Sequence, residues 1–371
     1  MPQLTTRPWI TAGVAVVGAG LVAVTPVTVP AVVINLPDIQ LTAAEMVLDL
    51  VRHGQSEDNV QGVLGTTPPG APLTATGEQQ AITVGDQLYN GGHNDIDGVY
   101  ASAFLRTQQT AWPLDQLLQG NSDYNDIPAG PTPLLDPGQI LPGLNELDAG
   151  FLENAHQTET TGLLYLLAPI SWMFGNYSVP QLGSTIDPNG MEFETRFTDA
   201  VDQIYNNGGA LADGELHDVA FSHAAAISTW VMTNVKNPDF ALYFKALTQG
   251  LLPNTGQVVI EGNPTDGWTL VSWDGQDVPQ TPDLLTGLLV DWRDLITVPQ
   301  MALYNVDQAI AGGDPTTITA ALQTGFDQVL AALQQFPQSV IDTLTGALGD
   351  ATGTAGQTAG ESVLDSTLAS I

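Results

Sequence analysis

The stretch Met46–Gly54, MVLDLVRHG, decides how the rest of the chain is read. Met46–Arg52 is a short, mostly apolar run with the length and composition of a strand buried in a sheet. It ends in Arg52-His53-Gly54-Gln55-Ser56, where two basic groups run straight into turn-forming residues. Working outward, the sequence predicts further strands at Gly98–Ala101, Val219–Ser222, Gln257–Gly262 and Trp268–Trp273, rich in Val, Leu and aromatics. Between them, Thr76–Leu88, Phe104–Leu118, Phe193–Tyr205 and Ala224–Thr233 have helical spacing. Strands alternating with helices imply an α/β layer fold with a sheet dominated by parallel pairs. In such sheets ligands bind beyond the carboxyl ends of the strands.

What stands at those ends is chemically specific. Arg52 and His53 follow the first strand, Ser102-Ala103-Phe104-Leu105-Arg106 the second, and Ser222-His223-Ala224 the third. Two guanidinium groups and two imidazoles converging on one point make a pocket for a dianion, because Arg presents planar, multidentate donors to phosphate oxygens. Helix N-termini beginning just after these residues would add backbone donors. One of the two histidines can act as a nucleophile, since a neutral imidazole attacks phosphorus and splits a hard step in two. Departure of the leaving group needs a proton donor. The segment Leu141–Asn154, LPGLNELDAGFLEN, supplies Glu146 in a Gly-bounded loop, with Asp148 and Glu153 as nearby alternatives.

Composition sharpens this. Seven Lys plus Arg stand against 40 Asp plus Glu, a net charge of −33, and there is no Cys. Nucleic acid is excluded as a partner, because its phosphates must be neutralised by bases the chain lacks. The absence of Cys excludes disulfide frameworks, zinc ribbons and a thiol nucleophile. No spacing suggests a metal cluster, and no metal or cofactor is expected. With only five Arg in 371 residues, two of them at strand ends carry information.

The flanks differ in texture. Residues 1–44 contain the uncharged stretch Pro8–Pro37 preceded by Arg7, the layout of an export signal or a retained N-terminal membrane anchor. Within it, Gly18–Ala23 matches a relaxed dinucleotide fingerprint. Pro26 and Pro30 would break the helix such a fold requires, so this is a decoy. Residues 45–280 form the α/β domain, with an insertion at 154–190 that includes the apolar run Gly162–Phe174, either a lid or a packing helix. Residues 281–371 form a helical C-terminal extension, with helical patterns at Leu284–Ile296, Met301–Ile310 and Ile318–Leu348.

LVRHGQSEDN at Leu50–Asn59, PLTATGEQQA at Pro72–Ala81, ASAFLRTQQTA at Ala101–Ala111, LNELDAGFLEN at Leu144–Asn154 and FSHAAAIS at Phe221–Ser228 together resemble the histidine phosphatase superfamily. Their order is similar to that of its phosphoglycerate mutase-like branch. The resemblance implies a three-layer α/β/α sandwich, needing no cofactor. It further implies that His53 is the phosphorylated nucleophile and Glu146 the acid and then the base. Arg52, Arg106 and His223 would bind the phosphoryl group, with Asn59 lining the pocket. The implied activity is hydrolysis of a small-molecule phosphomonoester by an exported or cell-envelope enzyme. The alternatives are an inactive envelope protein that keeps the fold, or a mutase or phosphotransferase.

Two departures bear on the substrate. Val60–Ala71 carries no cation where phosphoglycerate mutases have one, and Ala224-Ala225-Ala226 replaces a Gly-containing turn. Both favour hydrolysis over mutase chemistry. Elsewhere, Arg196 is expected to pair with Glu192 one helical turn away. Lys236 and Lys245 are expected at solvated helix ends, and His93, His156 and His217 on the surface or in loops.

Overall fold

The computed structural model describes residues 44–91, 96–208 and 216–368, with side chains to residue 347. The N-terminal apolar segment, its glycine run and His93 lie outside these residues. Among the described residues, no helix is long and apolar enough to cross a membrane.

Strand β1 (Met46–Arg52) lies in the middle of a six-stranded sheet. Its neighbours are β3 (Leu216–Ser222), parallel to it, and β4 (Gln257–Asn263), antiparallel. Strand β2 (Gly98–Ala101) pairs in parallel with β3, while β5 (Gly267–Trp273) and β6 (Gln276–Asp277) extend the other edge, giving the order β2-β3-β1-β4-β5-β6. The sheet is therefore mixed, not parallel-dominated as its alternating pattern suggested. The reason is local: a tight hairpin at 263–267 joins β4 to β5, and Asp274-Gly275, both at positive φ (49° and 74°), joins β5 to β6. Strands joined so tightly can only run antiparallel.

Side-chain alternation along β1 and β3 divides the core in two. Met46, Leu48, Leu50 and Ala220 face one apolar cluster; Val51, Val219 and Phe221 face the other. Helices α2 (Ala75–Asn90) and α3 (Leu105–Leu118) cover the second face through Val84, Leu88, Ala111 and Leu114. Helices α4 (Glu159–Met173), α5 (Gly190–Gly208) and α6 (Ala224–Asn234) cover the first. There Trp230 is fully buried and stacks on Phe197 at 5.2 Å. Truncating such a residue costs about 3–5 kcal/mol. Because both faces are covered, the strands read as nearly continuous apolar runs. The short helices α1 (Glu57–Gln61) and α7 (Phe240–Leu247) lie at the carboxyl end of β1 and ahead of β4 in the chain.

His217 was expected on the surface, but it sits on β3 with only 4% of its area exposed, its Nε2 2.9 Å from Asp49 on β1. A single histidine in an alternating strand gives no sign of which face it occupies; the β1–β3 register decides it.

The C-terminal region is a helical hairpin. Helix α8 (Leu284–Gly312) runs unbroken through Pro299, where the pattern suggested two separate helices. Proline removes one backbone bond there, and packing along the rest of the helix outweighs it. Gly313, at φ 75°, turns the chain into α9 (Pro315–Leu368). Arg293 fastens the hairpin to the domain: its guanidinium is buried and donates to the carbonyls of Met232 and Val235 at the end of α6, at 3.1 and 3.2 Å.

Candidate active site

The segment after β1 is held by backbone packing that its own residues dictate. A Cβ on Gly54 would lie 2.7 Å from the Gly77 carbonyl oxygen, and one on Gly77 only 2.1 Å from that of Gln55. Neither position tolerates a side chain, so the loop after β1 presses directly on the start of α2. Thr74 caps that helix, Gln80 accepts from the Gln55 amide at 2.8 Å, and Thr110 from the Gly54 amide at 3.0 Å.

His53 follows the last residue of β1, and its amide still pairs with Ser222 of β3. Its Nδ1 lies 2.7 Å from the Gly54 carbonyl, which can only accept, so Nδ1 carries the proton. Its Nε2 receives the Nε–H of Arg106 at 3.1 Å and is therefore the unprotonated nitrogen. Burial first, then the charges of Arg106 and Arg52, hold its pKa well below the ordinary histidine value.

His223 opens α6 and is fully buried. Arg106 Nη2 donates to its Nδ1 at 3.2 Å, so its Nε2–H donates to Ser102 Oγ at 2.9 Å. Burial and Arg106 push its pKa down as well. Arg106 also donates to the Gly65 carbonyl and packs over Phe104, its guanidinium 4.3 Å from the ring centroid. Burial lowers the Arg106 pKa to about 10, leaving it cationic at neutral pH. Two buried guanidinium nitrogens of the site make no hydrogen bond: Arg52 Nε, and Arg106 Nη1, which meets Asp58 only as an ion pair at 3.5 Å. Arg52 Nη1 is anchored on the Leu252 carbonyl at 2.5 Å.

Glu146 stands between two 3₁₀ turns, Pro142–Leu144 and Gly150–Leu152. Its Oε1 accepts from the amides of Leu147 and Ala226 at 3.0 and 2.9 Å. Desolvation dominates those bonds and nearby Arg106, so its pKa is raised. Asp148 and Glu153 are engaged elsewhere: Asp148 binds Gly150, Ser184 and Thr185, which lowers its pKa overall, and Glu153 binds Thr66.

Five of the six predicted residues, Arg52, His53, Asn59, Arg106 and Glu146, line one cavity of about 730 Å³. His223 does not reach its wall; it stands behind Arg106. Asn59 is occupied in part, its Oδ1 accepting from the Ser56 amide and from Asn254. Two of the backbone donors expected at helix starts are used internally: the Leu105 amide bonds the Pro69 carbonyl, and the Ala226 amide bonds Glu146. Two guanidinium groups around a neutral imidazole, with a carboxyl of raised pKa in the same cavity, suit an anion and repel a cation.

Arg196 departs most from expectation. It does not pair with Glu192, which binds Tyr304 instead. Its Nε and Nη2 form a fork on Asp187 at 2.5 and 2.8 Å. Its remaining donors take the carbonyls of Gly143, Asn145 and Glu146 at 2.7, 3.0 and 3.3 Å. It thus holds the whole Glu146 loop, a role that helical spacing within α5 could not reveal. Asn254 was also missed: it donates to the His53 carbonyl at 3.1 Å from a loop with no distinguishing sequence signal.

Comparison with known proteins agrees with this geometry. The profile of the histidine phosphatase superfamily (branch 1) matches residues 48–274. The PE-PGRS family protein PE_PGRS11 of Mycobacterium tuberculosis is 43% identical over 311 residues, 82% of this chain and 49% of that protein. The chain thus spans about half the length of that relative. A 2,3-bisphosphoglycerate-dependent phosphoglycerate mutase of Bartonella henselae is 33% identical over 128 residues, 34% of this chain and 59% of that one. The adenosylcobalamin/alpha-ribazole phosphatase of Salmonella typhimurium is 28% identical over 208 residues, 55% of this chain and 87% of that enzyme.

Proposed function

Because the chain belongs to the histidine phosphatase superfamily, we propose that it hydrolyses a phosphomonoester through a phosphohistidine at His53. The observation that carries this is the hydrogen bonding of the ring: Nδ1 lies 2.7 Å from the Gly54 carbonyl, which assigns the lone pair to Nε2, where Arg106 donates at 3.1 Å. In the first step Nε2 attacks phosphorus in line, Arg106 turns its donors to the phosphoryl oxygens, and the ester P–O bond breaks. The departing alkoxide takes the proton of Glu146. In the second step the Glu146 carboxylate takes a proton from water as the water oxygen attacks phosphorus. The N–P bond breaks, and orthophosphate leaves. Arg52 and Arg106 spread the charge of the transferring group in both steps, and His223 orients Arg106.

Water, not a second phosphate ester, is the acceptor in this scheme. Transfer to a phosphoglycerate requires a second anion to be held in the cavity, and among the described lining residues Arg52 and Arg106 are the only cations. Release of phosphate from an aryl phosphate tests the scheme: wild type should turn over, and His53→Ala should lose at least about a thousandfold. Equal rates in the two would end it.

We further propose that residues 1–44 export the protein or anchor it in an envelope membrane, on the strength of Arg7 followed by the uncharged stretch Pro8–Pro37. A mature N-terminus beyond residue 30 indicates cleavage, and an intact Arg7 in the membrane fraction indicates an anchor. An uncleaved protein free of membranes would refute both.

A further inference from the structure

Beyond the phosphate-holding end, the cavity changes character. Its lining includes four leucines, Leu163 and Leu166 of α4 with Leu64 and Leu251. Leu166, Leu64 and Leu251 are buried, whereas Leu163 lines the cavity with 59% of its area still exposed, marking the rim. One helical turn beyond it lies Leu167, 56% exposed, with Leu164 beside them at 53%. The apolar surface therefore continues out of the cavity along α4 instead of stopping at its mouth. A contiguous exposed apolar strip of this kind marks a place where something apolar binds.

The charges around it have one sign. Among the described lining residues, Asp58 is paired with Arg106 at 3.5 Å, and away from the two arginines the carboxylate of Glu159 is joined by neutral Gln157, Thr158 and Thr248. A second phosphate or a carboxylate on the substrate would meet Glu159 there, with no described lining cation beyond Arg52 and Arg106, in a chain whose net charge is −33. An uncharged alcohol bearing an alkyl or aryl group meets leucines.

Resting on the phosphohistidine scheme above, we propose that α4 is the specificity element. The substrate is then the phosphate monoester of an apolar, uncharged alcohol, with its chain along Leu166, Leu163 and Leu167. The test is a homologous series of n-alkyl phosphates from methyl to octyl. The ratio kcat/KM should rise about twofold to fourfold per methylene until the chain leaves the wall. The double variant Leu163→Asn/Leu167→Asn should flatten the rise from methyl to octyl. 3-Phosphoglycerate should be turned over more slowly than butyl phosphate. A flat series, a slope untouched by the double variant, or a preference for 3-phosphoglycerate would each overturn the proposal.

The same series as non-hydrolysable alkyl phosphonates, followed by calorimetry, separates the two ideas. If no ester is hydrolysed in a His53-dependent way but phosphonate affinity still climbs with chain length, the mechanism fails and the apolar subsite stands. If esters are hydrolysed but neither slope appears, the subsite fails and the mechanism stands.

Discussion

At the level of single residues, the site joins two opposite pKa displacements. The active form of His53 is neutral, and burial beside two arginines keeps it neutral well below the usual histidine range. The active form of Glu146 in the first step is protonated, and burial raises its pKa from the ordinary carboxyl value. Raising pH through the Glu146 pKa therefore removes the proton donor, while only strongly acidic solution removes the nucleophile. The profile of kcat/KM for an alkyl ester should keep its plateau to a higher pH than an ordinary carboxyl donor would allow and fall once Glu146 ionises. Glu146→Gln should abolish its alkaline limb and slow poor leaving groups most; equal slowing of aryl and alkyl esters would contradict a proton-donor role. Arg196 positions this acid without touching substrate. Arg196→Ala should lower kcat by about 10- to 100-fold with KM nearly unchanged, as a small misplacement of a catalytic group does. Arg196→Lys should not restore it, because an ammonium cannot fork on Asp187 and reach three carbonyls. Asp58, 3.5 Å from Arg106, competes with any bound anion, so Asp58→Asn should tighten inhibition by orthophosphate about tenfold. His53, Arg52, Arg106 and Glu146 could be found in the sequence because each adjoins a strand end or a Gly-bounded loop. Arg196 and Asn254 could not, because their partners lie about 50 and 200 residues away and nothing local hints at the approach.

Among the elements, β1 and β2 have the boundaries their composition predicts, since each is a short apolar run closed by turn or polar residues. The antiparallel half of the sheet was readable in principle: Asp274-Gly275 is a two-residue hairpin signal. It was outweighed by the helix–strand alternation of the first 230 residues, which describes only the other half. Strand β3 carries a feature no pattern could show. Asp218 is fully buried, and neither carboxylate oxygen has a hydrogen-bond partner. Burial, reinforced by Asp97, raises its pKa to about 7. A carboxyl whose pKa is higher in the folded than in the unfolded chain favours folding in its protonated form. That contribution is complete below the unfolded value and is lost as pH rises through about 7. Asp218→Asn should therefore raise Tm more at pH 8 than at pH 5, with a difference on the order of 5 °C. Scanning calorimetry at the two pH values decides it, and an equal shift at both would mean the carboxyl is not held neutral.

For the molecule as a whole, the helical character of the C-terminal region was evident from periodicity, but its attachment was not. The apolar faces of α8 and α9 are compatible with many surfaces; the choice is made by Arg293 reaching the last carbonyls of α6. Arg293→Met should leave the rate on an aryl phosphate unchanged and lower Tm by several degrees, since those carbonyls lose their donors. A drop in rate of the same size as that in Arg196→Ala would mean the hairpin shapes the cavity. Arg52, Arg106, Arg196 and Arg293 are each committed to an internal carbonyl, carboxylate or ring, whereas Lys236 and Lys245 are exposed. Trypsin acting on the folded protein thus meets two accessible bases among the described residues, Lys236 ahead of the short helix α7 and Lys245 in its last turn. Any peptide ending at one of those four arginines would record that the domain had opened.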